Sequence, residues 1–253
     1  MSGPFRGTPS DRAVSDVIGY VLIFTLIVSS VGIVSTVGFE TREDRQRAER
    51  LNNVERAFDV FATNVEDVYR GGAPSRATEM RLAGGTLQYG EPTAITVRRA
   101  DDHTVNHTME LTPLVYSEGE SRVVYAGGAI LRGEPRGSAM LRDPPFVLDE
   151  ERSLLPFVRT TRSVGPTELT RDGTVRVESR RTNVNATTRP ALAAGGDLEL
   201  VVDSPRDTAW DGYLRSQANR VGGWTYDEPN GTLSFTTNEL SVPRSRVRIE
   251  FVA

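Results

Sequence analysis

At 253 residues the chain has room for one large domain or two small ones plus an anchor, and its 38% apolar content is that of a globular protein. A net charge of −4 is too small to point to nucleic acid or a strongly acidic substrate, and the lack of cysteine excludes disulfides, cysteine nucleophiles and thiolate-bound metals. All thirty basic residues are arginine, a bias read here as a GC-rich genome or a high-salt habitat.

The first twelve residues, MSGPFRGTPSDR, form a short polar leader ending in a charge. From Val17 to Phe39 run twenty-three residues without a charge. As a helix they would span about 35 Å at about 1.5 Å per residue, against about 30 Å for a bilayer core. Val17, Ile18, Leu22, Phe24, Leu26, Ile33 and Phe39 would face lipid, and the few hydroxyls can bond back to their own backbone. A buried core helix and a cleaved secretory signal are the alternatives. No polar face interrupts the run, and it is too long for a signal core, so a retained membrane helix is the preferred reading.

The run Arg12-Ala13-Val14-Ser15, followed by Val17-Ile18-Gly19 and the apolar segment, resembles the N-terminus of haloarchaeal type IV pilin-like proteins with a prepilin-type (class III) signal peptide. The stretch from Asn52 to Arg76 is similar to an uncharacterised group of the same kind. The resemblance implies a membrane peptidase that cuts between Ala13 and Val14 and leaves the anchor in place. It also implies a lipid bilayer, a prepilin peptidase and other pilin-like subunits as partners. Two positions depart from the pattern. Asp16 stands where many haloarchaeal pilins have proline, and Ile18 stands where bacterial-type pilins have the glutamate associated with subunit docking.

Beyond Phe39 the chain becomes charged but keeps a helical rhythm. Leu51, Val54, Phe58, Phe61, Val65 and Val68 recur at steps of three and four, forming one apolar stripe. No glycine or proline interrupts residues 39–70, and Gly71-Gly72 supplies a stop. One helix from about Asp16 to Arg70 is expected. Its outer half would pack on the chain's own β-domain, on neighbouring copies, or on both.

From Gly72 onward short β-branched runs alternate with turn signals such as Gly84-Gly85, Asp172-Gly173 and Asn230-Gly231. Strands are expected at 79–83, 93–99, 104–116, 121–126, 154–162, 174–180, 198–203, 232–237 and 246–252. The proline-rich stretch from Arg132 to Pro156 reads as a surface excursion. A helix is expected after Ser204-Pro205, with Ser204 as cap and Trp210, Tyr213, Leu214, Gln217 and Val221 on one face. The expected fold class is α+β: a long N-terminal helix, half transmembrane and half amphipathic, then a mainly antiparallel β-sandwich-like domain with one additional helix. The corresponding segments are leader 1–13, anchor 14–39, amphipathic helix 40–70 and β-rich domain 72–253.

Candidate chemistry is sparse. His103 and His107 lie on an alternating, strand-like segment that holds the imidazoles too far apart to share a metal. Asp101-Asp102 suit a turn. No nucleophile elbow, phosphate loop or paired catalytic acids stand out, so neither an enzyme nor a cofactor is expected, and nucleic acid is not an expected partner. Three sequons, at Asn106, Asn185 and Asn230, all follow the anchor.

Counted by charge, Arg6 and Arg12 before the span and Arg42, Arg45, Arg47, Arg50 and Arg56 after it would place the C-terminal side in the cytoplasm. Those later arginines interleave with Glu40, Glu43, Asp44, Glu49 and Glu55, where helical pairing offsets them. Together with the leader's resemblance, this sets the expectation of a single-pass protein with a cytoplasmic N-terminus and an extracellular domain. The expected role is a pilin-like surface protein, either a minor filament subunit or a monomeric tethered binding module.

Overall fold

The computed structural model describes residues 10–101, 105–183 and 197–252, and within the first helix it describes the side chains of 18–30 and of 45 onward. Residues 1–9, His103 and Asn185 lie outside the described residues, as do the side chains of Arg12, Ala13, Val14, Val17, Ile33 and Phe39. The chain divides into two compact units, residues 1–50 and 51–253.

Helix α1 is Ser10–Tyr69. Strands β1 (Ser75–Arg81), β2 (Thr86–Tyr89), β3 (Thr93–Arg99), β4 (Asn106–Leu111), β5 (Leu114–Glu118) and β6 (Ser121–Ala126) follow. Next come β7 (Ala129–Glu134), β8 (Gly137–Arg142), β9 (Arg152–Leu154), β10 (Phe157–Arg162), β11 (Glu168–Thr170) and β12 (Thr174–Asn183). The chain closes with β13 (Asp197–Asp203), α2 (Asp207–Ala218), β14 (Thr225–Asp227), β15 (Thr232–Thr236), β16 (Glu239–Ser241) and β17 (Arg244–Val252).

The strands make a six-stranded sheet in the order β11-β2-β5-β6-β7-β8, a four-stranded sheet β1-β12-β17-β10, a five-stranded sheet β14-β15-β13-β3-β4, and the pair β16-β9. The six-stranded sheet is the middle layer. Alternate side chains of its central strands enter two different cores. Val115, Val124, Ala126, Ala129 and Leu131 pack with the five-stranded sheet and α2, whereas Leu114, Tyr116, Val123, Tyr125 and Ile130 pack with the four-stranded sheet and α1. A strand covered on both faces needs apolar residues at every position, which is why β5, β6 and β7 read Leu-Val-Tyr, Val-Val-Tyr-Ala and Ala-Ile-Leu.

These observations correct the expected α+β class. The folded body is mainly β, a β-sandwich-like stack of three layers rather than two. It is not wholly antiparallel, since β10 pairs with β17, and β9 with β16, in parallel. Of the two halves expected for the long helix, the amphipathic one packs on the chain's own β-rich body, and the transmembrane one is not shown by the described residues. From Leu51 the helix is core material of the second unit. In the first unit the described apolar side chains span only residues 18–30, about 20 Å of helix. Among the described residues no helix is long and apolar enough to cross a membrane, which says nothing of strands.

Smaller corrections have local causes. Pro113 divides the run 104–116 into β4 and β5, because proline cannot donate to a ladder, and Pro156 likewise separates β9 from β10. The stretch 132–156 is no surface excursion: it holds the end of β7, all of β8 and β9. Helix α2 starts at Asp207 with Arg206 at its cap position and no side-chain cap bond, while the Ser204 hydroxyl accepts from the Arg206 amide at 3.2 Å. Ser204 therefore closes a turn just ahead of the helix. Val221 lies beyond the helix end, and Ala209 and Ala218 complete the buried face.

Candidate interaction surfaces

Residues 18–30 carry large apolar side chains that stay largely exposed, with the Tyr20 ring stacked on Phe24 at 6.4 Å. Ile18, Tyr20, Val21, Leu22, Ile23, Phe24, Leu26, Ile27 and Val28 are each more than half exposed, between 53% and 71%. They point all around the helix, so this stretch presents no polar face. Two of its hydroxyls bond back to the helix: Thr25 Oγ1 donates to the Val21 carbonyl at 2.7 Å and Ser30 Oγ to the Ile27 carbonyl at 2.8 Å. Hydroxyls that bond to their own helix impose no desolvation cost in an apolar medium.

The stripe has the opposite fate. Leu51, Val54, Phe58, Phe61, Val65 and Val68 are each at most 5% exposed. Phe58 and Phe61 lie 6.5 Å apart, and Phe61 meets Tyr125 of the middle sheet edge-on. The helix flanks are tied down by charge. Arg142 of β8 reaches Asp59 at 2.9 Å and Glu66 at 3.1 Å, and Arg132 of β7 reaches Glu55 at 3.3 Å. On the other flank Asn64 donates to Thr78 Oγ1 at 2.8 Å and Asp67 accepts from Arg76 at 3.2 Å, covering the outer edge of β1. Glu55 and Glu66, which the spacing places off the stripe, are thus pairing residues.

Tyr69, at the end of the helix, has its pKa pushed up to about 12, first by burial and then by the Glu66 carboxylate. Tyr125 is raised further in the same direction because it is wholly buried.

Of the sequon asparagines, Asn106 opens β4 and is exposed, and Asn230 is exposed in the β14–β15 turn, where its amide donates to Asp227 at 2.6 Å. His107 lies on β4, within 2.9 Å of the Arg244 guanidinium. Among the described residues no three His, Asp or Glu side chains gather as a metal site would need.

Depressions among the described residues include two on the body. One, of about 410 Å³, lies where the β7–β8 turn meets the start of α2 and includes Arg122, Ser138 and Arg206. Burial and the neighbouring Arg122 charge lower the Arg206 pKa, whereas Glu91 opposes them. The other, of about 500 Å³, lies beside α1 and includes Glu55, Asp59, Leu141 and Arg142. The spacing of Arg132 and Arg142 gave no cue to their helix contacts, since both partners lie far away in sequence.

The chain matches the family of unknown function DUF7289 over residues 12–250. It belongs to that family. It is also 33% identical over 76 residues to an uncharacterised protein of Archaeoglobus fulgidus, a stretch covering 30% of this chain and 25% of the relative. The chain therefore aligns with about a quarter of that relative's length. No solved structure matches. Neither description names an activity or a partner.

Proposed function

We propose that this DUF7289 member is a membrane-anchored, pilin-like cell-surface protein whose β-rich body lies outside the cell, a minor subunit of a type IV pilus-like filament. The observation that carries this reading is the all-round exposure of nine large apolar side chains between Ile18 and Val28. Fully exposing that much apolar area to water would be unfavourable by roughly 25 cal/mol per Å², so the segment calls for lipid or other apolar helices around it. The charge-free run continues in the sequence to Phe39, and the Arg12-Ala13-Val14 junction supports a prepilin-type leader.

A second reading is a monomeric tethered binding module. It is favoured by the fate of the apolar stripe: Leu51 to Val68 is buried within its own body, so that face is not left over for neighbouring copies. Protease added to intact cells should remove the chain beyond about Arg70 and leave the apolar N-terminal segment with the membrane fraction. Protection of the β-rich body until the membrane is broken would overturn the surface reading. Filaments lost on deletion of the protein would favour the subunit over the monomer, and filaments unaffected by it would favour the monomer.

A further inference from the structure

The outer face of the four-stranded sheet sets like charges side by side. In the register of β10, β17 and β12, Arg159 stands beside Arg246, and Arg248 stands beside Arg180. One step further along, Glu178 stands beside Glu250. Side chains directly across a ladder lie about 5 Å apart, and like charges there are destabilising. The four arginines are all exposed. Their backbones occupy a patch about 10 Å across three strands and about 7 Å along them.

Only Arg180 has an acidic partner, Glu178 at 2.8 Å. Among the described residues Arg159, Arg246 and Arg248 form no ion pair. The segment 184–196 that follows β12 contains no acidic residue to neutralise them. The alternation that buries Val247, Ile249 and Phe251 sends Arg246 and Arg248 outward, so the patch follows directly from the strand's period of two.

We propose that this face docks an acidic polysaccharide, with carboxylate or sulfate groups seated between Arg159, Arg246, Arg248 and Arg180. A guanidinium binds such planar or tetrahedral oxyanions through paired N–H donors. The chemistry of the face selects among polyanions. No aromatic side chain projects from it, so it lacks the platforms on which single-stranded nucleic acids stack. The arginine rows contain no apolar side chain, and a protein partner would draw its binding energy from an apolar or aromatic centre. The hydroxyl of Thr161 lies on the same face beside Arg248, as a hydrogen-bond partner for sugar hydroxyls. An occupant would also relieve the like-charge pairing, so binding should stabilise the fold by linkage.

The probe is heparin, a sulfated polysaccharide, titrated into the full-length protein in detergent at low ionic strength. The wild-type chain should bind, its melting temperature should rise with heparin, and binding should weaken as salt is added. Arg246→Glu with Arg248→Glu should reduce affinity at least tenfold. Arg136→Glu with Arg171→Glu, the same charge change at exposed sites elsewhere, should reduce it less than threefold. Circular dichroism identifies any variant that fails to fold, and Arg246→Gln with Arg248→Gln then replaces the charge reversal. Equal losses in the two double variants, or double-stranded DNA bound as tightly as heparin, would overturn the proposal.

Discussion

The rings of Phe61 and Tyr125 meet edge-on, with centroids 5.1 Å apart and planes at 86°. This contact joins α1 to the middle sheet, and both side chains are completely buried. Phe61→Ala should destabilise the body by about 3–5 kcal/mol, combining lost transfer energy with a cavity the sheets cannot close. Val60→Ala, one position earlier but 54% exposed, should cost less than about 0.5 kcal/mol. Denaturant unfolding followed by tryptophan fluorescence measures both. Equal effects would mean that the helix is not part of the core.

Arg142 bridges Asp59, Thr63 and Glu66 from one guanidinium, with Thr63 Oγ1 at 3.1 Å. All the charged partners are partly exposed, so screening limits the gain. Arg142→Ala should cost about 1 kcal/mol at low salt, more than a single surface pair but far less than a core truncation. The loss should shrink in 1 M salt, where the screening length is about 3 Å. A cost that ignores salt would show that the arginine acts by packing alone.

Tyr89 stacks on Phe251 at 4.6 Å and donates its hydroxyl to the Ile249 carbonyl at 2.8 Å. Burial first, and the Glu250 charge to a smaller extent, push its pKa up to about 12. The folded state therefore holds this proton more tightly than the unfolded chain, whose tyrosine titrates near 10. The resulting stability is fully present below about pH 10 and is lost as pH rises from about 10 to 12. Tyr89→Phe should cost about 1 kcal/mol at neutral pH for the hydrogen bond, yet lose less stability than wild type across that alkaline window. Urea midpoints at a series of pH values test this, and parallel curves for the two proteins would contradict it.

Gly127 and Gly128 make the tight turn between β6 and β7 with φ of 61° and 100°, the backbone that a two-residue hairpin needs. A Cβ on Gly128 would also lie 2.5 Å from the Pro145 ring. Gly72 has φ of 75° but open space around it. Gly72→Ala should cost about 1 kcal/mol from conformation alone, and Gly128→Ala should cost clearly more, because strain and overlap add. Thermal unfolding of the two variants ranks them directly.

The parts of the fold written in local periodicity are the readable ones. Steps of three and four single out Leu51 to Val68, which is the set the structure buries, and alternation gives β3, and a β-branched run β6, at their structural bounds. The three-layer arrangement was hidden for a physical reason. Strands buried on both faces lose their alternation, so β7 carries no period-two signal, and the glycines and prolines around β8 look like loop. Pairing between distant strands has no local signature either. The arginines of β17 therefore read as an ordinary polar face until β10 and β12 place Arg159 and Arg180 beside them. The run from Val17 to Phe39 was legible only as a composition, an unbroken stretch without charge.

Peptide mass spectrometry of the mature N-terminus, on protein recovered from cell membranes, tests the central claim most directly. A prepilin-type leader predicts a chain that starts at Val14 and keeps the apolar run from Val17 to Phe39, and Arg12→Ala should leave it uncut. A mature form that starts beyond Phe39 would show that the run is removed. The protein would then have no N-terminal anchor, and the membrane-anchored, pilin-like account would be wrong.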